Sequence, residues 1–328
     1  MKIAVAGEGA FGVRHLEAIA QIEGVAVDCL VGGDAAAAAA VAAQFDVPRV
    51  TTDLDACLAR PDIEAVILTT PTPLHAAQAI QCLEAGKPVQ VEIPMADSQA
   101  DAERLAETAQ RTGLVAMAGH TRRFNPSHQW VHHKARAGEL RVLQMDVQTY
   151  FLRRTNINAL GQPRSWTDHL LWHHAAHTVD LFHYQTGETC SLARAVQGPP
   201  QPELGIAMDM SIQLKTPSGA VCTLSLSFNN DGPLGSVFRY ICDRGTYVAR
   251  YDDLVDGHDA AIDVSGVAVS TNGIELQDRE FLAAIREGRE PNASIFQVLP
   301  AYQVLGQLER DLADQAVSAT RSPRSTRS

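Results

Sequence analysis

Three histidines at four-residue spacing, His169, His173 and His177, are followed by Asp180 and Tyr184. On an α-helix these five residues fall at about 0°, 40°, 80°, 20° and 60°, one polar stripe within a quarter of the circumference. Leu171, Ala175, Val179 and Phe182 take the opposite side. The run Arg164–Tyr184 is therefore expected to be a helix with one buried face, N-capped by Thr167 or Asp168. Three chemistries suit such a stripe. A neutral imidazole can act as a general base near pH 7, held in one tautomer by a partner such as Asp180. His173 and His177 with Asp180 have zinc-ligand spacing, although His174 stands where a zincin would carry Glu. The stripe can also be a structural polar network. Nine of the twelve histidines lie between His120 and His183, and residues 120–170 hold 8 basic against 3 acidic side chains in a chain of net charge −11. Such an island suits a small anionic ligand or a solvated basic face.

A second chemistry is written at the N-terminus. Gly7-Glu8-Gly9-Ala10-Phe11-Gly12 is a G-x-G-x-x-G that follows an apolar β-branched run and opens an amphipathic segment. In that context Gly7 permits the tight turn, Gly9 lets backbone approach a pyrophosphate and Gly12 lets helix and strand pack closely. The helix N-terminus then faces the anion. The ribose is read at the end of the next strand, where Gly33 and Asp34 stand. Asp34 can take ribose hydroxyls or simply cap the helix that follows. Two further runs, Thr70-Pro71-Thr72-Pro73-Leu74-His75 and Glu92-Ile93-Pro94, follow strand ends and would border the nicotinamide.

These residues need a scaffold, and the first 119 residues supply the pattern for one. Apolar runs at Lys2–Ala6, Ala26–Val31, Ala65–Leu68, Val89–Val91 and Leu114–Met117 alternate with helical segments. Those segments are Phe11–Ile22, Ala35–Phe45, Asp53–Ala59, His75–Ala85 and Asp97–Thr112. This is the grammar of a doubly wound parallel (Rossmann) sheet. After residue 120 period-2 alternation takes over, as in Ala207–Leu214 and Cys222–Phe228, and predicts a mostly antiparallel sheet. Strands are also expected at Leu143–Val147 and Val237–Arg250, and helices at Glu275–Arg286 and Ser294–Asp314. The fold class is α/β: a dinucleotide-binding domain over 1–119, an α+β substrate and oligomerisation domain over 120–315, and a disordered tail over 316–328.

At 328 residues the chain suits two domains, and with 45% hydrophobic and 20% charged residues it can build cores. The acidic balance argues against nucleic acid or an anionic membrane as partner. No apolar run reaches the roughly 18 residues of a membrane span. The six cysteines are scattered with no C-x-x-C pair, an expectation of reduced thiols and a cytoplasmic location.

The Gly7–Gly12 loop, Thr70–His75, Gly86–Pro94, Arg122-Arg123-Phe124, His173–Asp180 and Glu280–Arg286 together resemble the Gfo/Idh/MocA (glucose–fructose oxidoreductase / inositol dehydrogenase) family over nearly the whole chain. Within it, Gly119–His128 and Ser165–Asp180 resemble a branch that oxidises the cyclic hemiacetal of a dicarboxylate semialdehyde from protocatechuate cleavage to a pyrone. The resemblance implies NADP as cofactor, with NAD as alternative, bound by Gly7, Gly9, Ala10, Phe11, Gly12, Gly33, Asp34, Thr70, Pro71, Thr72, His75 and Glu92. It implies a small dicarboxylate substrate and no metal. His177, or His173, with Asp180, would serve as base. Arg122, Arg123 and Arg164 would fork the carboxylates, with Trp166 and His169 beside them and Arg153 and Arg154 as weaker candidates. A homodimer or homotetramer through the second-domain sheet is expected. Two departures stand out. The family's Glu-Lys-Pro is Glu92-Ile93-Pro94, which removes a proton-transfer Lys; a hemiacetal hydroxyl is acidic enough for a weaker base. Gly33-Asp34 stands where NADP-using relatives tend to carry Arg. A dehydrogenase of another anionic lactol or sugar acid, or a dinucleotide-sensing regulator, are the alternatives.

Overall fold

The structure is a computed structural model that describes residues 1–157, 161, 163–164, 166–268 and 273–321, with side chains as far as 316. It divides into two compact units. The first comprises Met1–Val131, Asn156–Trp166 and Asp263–Pro300, three stretches of chain. The second takes His132–Thr155, Thr167–Ile262 and the chain from Ala301 on.

Among the described residues, the first unit is built on a six-stranded sheet. In chain order its elements begin with β1 (Lys2–Ala6), α1 (Ala10–Ile19), β2 (Ala26–Val31) and α2 (Ala35–Gln44). They continue with β3 (Val50–Thr51), α3 (Leu54–Leu58), β4 (Ala65–Leu68), α4 (His75–Glu84), β5 (Val89–Val91), α5 (Gln99–Thr112) and β6 (Ala116–Ala118). α6 (Pro126–Arg136) follows. The order β3-β2-β1-β4-β5-β6, parallel throughout, is doubly wound, and its switch point lies between β1 and β4. β1 is buried from Ile3 to Ala6 and β4 from Ala65 to Leu68. That is why these strands read as unbroken apolar runs: helices cover both faces.

The second unit holds a seven-stranded sheet. Its strands are β7 (Val142–Tyr150), β8 (Leu192–Gln197), β9 (Asp209–Lys215), β10 (Val221–Ser227), β11 (Gly235–Cys242), β12 (Gly245–Arg250) and β13 (Asp253–Asp256). The order is β13-β12-β11-β7-β10-β9-β8. Only the β7–β10 pair is parallel. Ile212, Leu224 and Leu226 line the buried face of the alternating strands, while Ser211, Gln213 and Thr223 face the other way. The predicted strand over Val237–Arg250 is in fact the β11–β12 hairpin, turned at Asp243-Arg244.

The histidine helix is α7 (Ala176–Thr186), preceded by a π-helical turn over Leu170–Ala175. Counting the π-turn, the helical run starts at Leu170, six residues later than predicted. Asp168 is no N-cap, because its carboxylate is paired with Arg153, and His169 before the helix is extended, with φ −126° and ψ 162°. The wider i→i+5 turn also means that α-helical angles do not hold before Ala176. Ser165, in the same prediction, lies outside the described residues. Two helices follow, α8 (Ile274–Glu287) in the first unit and α9 (Ile295–Arg321). α9 runs six residues into the segment read as a tail; beyond Arg321 that prediction lies outside the described residues. No described helix is long and apolar enough to cross a membrane. None of the six cysteines is in a disulfide; five are buried and Cys190 is half-buried.

Candidate active site

In the first unit β1 runs directly into Gly7, whose φ of +115° favours glycine. A Cβ on Gly7 would stand 2.4 Å from Thr69 Oγ1, and one on Gly12 would stand 1.9 Å from the Gly7 carbonyl oxygen. Both glycines are therefore steric requirements. The Thr69 hydroxyl, at the end of β4, donates to the Ala6 and Gly7 carbonyls at 3.0 and 3.2 Å and ties the loop down. A Cβ on Gly9 would meet nothing within 4 Å. This is the open side of the loop. α1 begins at Ala10 with Gly9 as N-cap, without a side-chain cap and without an acidic residue in its first turn. Its leading N–H groups suit a pyrophosphate, and Phe11 beside them is 52% exposed. The residues fit a dinucleotide.

At the end of β2 Asp34 caps the helix that follows. Its Oδ1 accepts the Ala37 N–H at 2.7 Å, so the side chain is the N-cap of α2. The carboxylate placed over this strand end belongs to Glu8. It accepts the Gly33 N–H at 3.0 Å and the Asp34 N–H at 2.9 Å. Glu8 was missed because a motif's variable position carries no signal until the fold brings it to β2.

His75 and Glu92 do not reach outward as cofactor ligands. His75 is buried, with Nδ1 2.8 Å from the Pro94 carbonyl oxygen and Nε2 2.7 Å from that of Thr70. It staples together the loops after β4 and β5. Two carbonyl acceptors ask for an imidazolium, but burial outweighs them and holds its pKa below the usual histidine value. Thr70 donates to Gln78, Thr72 is buried in a short 3-10 turn behind Pro71, and the Ile93–Pro94 peptide is cis.

Glu92 belongs to a buried charge cluster that the sequence did not announce. His15, from α1, sets Nε2 3.2 Å from Glu92 Oε1 and Nδ1 2.9 Å from Asp278 Oδ1 of α8. Gln90 donates to Asp278 at 2.7 Å and Gln277 donates to Glu92 at 3.1 Å. Burial alone would make His15 neutral, but the two carboxylates outweigh it and raise its pKa to about 10. Burial likewise pushes the Glu92 carboxyl up, and His15 brings it below its ordinary value. Asp278 stays above its ordinary value because burial dominates there.

The arginine candidates separate. Arg123 is buried and donates to Asn292 at 3.1 Å and Gln297 at 2.9 Å. It fastens the turn before α6 to the start of α9, a correction to its assignment as a substrate ligand. Arg122, next to it, is half-buried, and its charge adds to the burial that holds His128 well below the usual histidine pKa. Arg164 is half-buried with its guanidinium 5.1 Å from the centre of the Trp166 ring, a cation–π pair. Arg153 is taken by Asp168 and lies 4.8 Å over the Phe228 ring. Arg154 donates to the Arg153 and Phe228 carbonyls and to Asn229. Both weaker candidates are thus spent on structure.

In the second unit His169, His173, His177 and Tyr184 are half-buried, while Leu171, Ala175, Val179 and Phe182 are buried. Asp180, three residues after His177 on α7, is buried. The π-turn seats Trp172 in the core, where its indole N–H donates to Glu309 at 2.9 Å. The His174 ring packs edge-on against Phe228, their centroids 5.1 Å apart. Tyr184 stacks on His132 with centroids 3.6 Å apart. The His169 backbone N–H donates to His173 Nδ1 at 3.1 Å. A neutral His173 therefore carries its proton on Nε2 and presents a donor. Among the described residues no three His, Cys, Asp or Glu side chains are grouped to hold a metal ion.

A glycine-loop unit with a doubly wound sheet, followed by a unit carrying an antiparallel sheet and a half-buried histidine row, defines a nucleotide-dependent oxidoreductase. Residues 1–120 match the oxidoreductase family with NAD-binding Rossmann fold, and residues 126–268 match the C-terminal region of bacterial oxidoreductases. The 4-carboxy-2-hydroxymuconate-6-semialdehyde dehydrogenase of Sphingobium sp. SYK-6 is 65% identical over 315 residues, 96% of this chain and 100% of that protein. Inositol 2-dehydrogenase of Mycolicibacterium smegmatis is 31% identical over 227 residues, 67% of this chain and 63% of that protein. Levoglucosan dehydrogenase in complex with NADH and L-sorbose shares the fold at 18% identity, with a TM-score of 0.84 over 96% of this chain and 97% of that one. The chain belongs to the Gfo/Idh/MocA oxidoreductase family and is an NAD(P)-dependent dehydrogenase.

Proposed function

We propose that the chain oxidises the cyclic hemiacetal of 4-carboxy-2-hydroxymuconate-6-semialdehyde to 2-pyrone-4,6-dicarboxylate, a step of aromatic-acid catabolism. The observation that carries this reading is the 65% identity to the Sphingobium enzyme across all of that protein's length. The bound dinucleotide supplies the hydride acceptor. His177 takes the hemiacetal hydroxyl proton as the C–H bond delivers its hydride and the carbonyl of the lactone forms. His173, with Nδ1 occupied by the His169 N–H, donates from Nε2 to a substrate oxygen. Arg122 and Arg164 bind the two carboxylates, and holding a rigid dicarboxylate at both ends fixes its reacting carbon. The exposed face of the β7–β13 sheet forms contacts in a homodimer or homotetramer, which light scattering of the purified chain would detect.

The test is absorbance at 340 nm with the protocatechuate ring-cleavage product and NAD+ or NADP+, against neutral lactols, inositols and sugar acids. The dicarboxylate should give the highest kcat/KM. Turnover of a neutral sugar or inositol with none of the dicarboxylate refutes the assignment.

A further inference from the structure

The resemblance implied NADP; the strand end that reads the ribose points elsewhere. We propose that Glu8 is the residue that selects the cofactor, and that it selects NAD+ over NADP+. In a doubly wound dinucleotide fold an acidic side chain about 20 residues beyond the glycine loop accepts the adenosine ribose 2′-hydroxyl. That place falls on Gly33 and Asp34, where one residue has no side chain and the other is the cap of α2. Glu8 does the work from the opposite side, inside the glycine loop. The Gly33 N–H and the Asp34 N–H hold its carboxylate at 3.0 and 2.9 Å. A carboxylate has about four acceptor sites, so one fixed by these amides still accepts from a ribose diol. The two amides orient it before any ligand arrives.

The same arrangement opposes a 2′-phosphate. The phosphate would bring close to two negative charges beside Glu8 and Asp34, and would compete with Glu8 for the two amides. The chain around this strand end supplies no cation of its own. Between Arg14 and Arg49 the chain has no Lys or Arg. Arg14 lies over the Phe11 ring at 5.5 Å and Arg49 is paired with Asp28. The first turns of α2 are six alanines. The strand end is closely built: a Cβ on Gly32 would stand 2.4 Å from the Ala38 Cβ, whereas one on Gly33 would meet only Glu8 Oε1, at 3.7 Å. Position 33 is thus where a cation could be added.

The inference rests on the dinucleotide site and not on the substrate, so binding without substrate tests it. Calorimetric titration of the full chain should give an NAD+ Kd about 10- to 100-fold below that for NADP+, the range of a hydrogen bond to a charged acceptor. Glu8→Gln, which keeps the shape and removes the charge, should move the ratio of the two Kd values toward one. Glu8→Ala should move it further, and Glu8→Gln with Gly33→Arg should invert it. A wild-type chain that prefers NADP+, or a ratio that Glu8→Gln and Glu8→Ala leave within about twofold of wild type, overturns the assignment. Failure of the wild type to bind either nucleotide overturns the dinucleotide site itself, and this inference with it.

Discussion

Replacing Asp278 by asparagine keeps the size of the side chain and removes one of the two charges that hold the His15 proton. In the native state that proton stays bound up to about pH 10, against an ordinary value of 6.5. A raised pKa gives stability that is fully present below about pH 6.5 and is lost as pH climbs through 10. Between these limits the folded chain holds one proton more than the unfolded chain, so each pH unit takes away about 1.4 kcal/mol. Without Asp278, burial regains control of His15 and its proton leaves at lower pH. The variant should be less stable than wild type by about 3–5 kcal/mol near pH 7, the usual effect of breaking a buried pair. The gap should then narrow by about 3 kcal/mol between pH 7.5 and 9.5. Urea unfolding followed by circular dichroism at several pH values measures the gap. Hydrogen exchange on peptides of α1 assigns it to the cluster. A gap that stays constant over that range would mean that His15 does not carry the proton, and the charge account of Glu92 would fall with it.

His177→Ala should lower kcat by about 10²–10⁴; full turnover in the 340 nm assay dismisses it as the base. Arg122→Ala should raise KM for a dicarboxylate lactol by about 10- to 100-fold with no change in nucleotide Kd, and a KM that does not move takes Arg122 out of the site. Asp34→Ala should cost about 1 kcal/mol of stability through loss of the α2 cap while leaving the NAD+/NADP+ ratio alone. A shifted ratio would return the ribose role to Asp34.

Whatever depended on neighbours in sequence was legible. β1, the glycine loop, β2 and β4 fall on their predicted residues, because a buried parallel strand and a G-x-G-x-x-G turn are local patterns. β3 escaped because Val50–Thr51 is too short to show a period. What depended on distant partners was not legible. Asp168 has the composition of a cap, yet Arg153 claims it. Arg123 is the equal of Arg122 in sequence, and only contacts with Asn292 and Gln297, more than 160 residues on, bury it. His15 meets Asp278 across 263 residues. In each case a partner distant in sequence, joined by an ion pair or hydrogen bond, set the residue's role.

That sorting bears on the missing lysine. With Ile93 between Glu92 and Pro94, the loop after β5 has lost the group that moves a proton in the wider family. Two histidines bond to this loop, and neither can replace it. His15 is sealed between two carboxylates and holds its proton to about pH 10, so at neutral pH it has no lone pair to offer. His75 has both ring nitrogens against carbonyl oxygens. The proposed function therefore assigns the base to the histidine row of the second unit. There His173 has its Nδ1 occupied by a backbone N–H, so in its neutral form the proton is on Nε2, which suits a donor. The proposed function gives the base role to His177, which is half-buried in α7. A hemiacetal hydroxyl is more acidic than a simple alcohol and so asks less of the base. On this account restoring the lysine, as Ile93→Lys, in a His177→Ala background should recover turnover with simple alcohols no better than with the lactol.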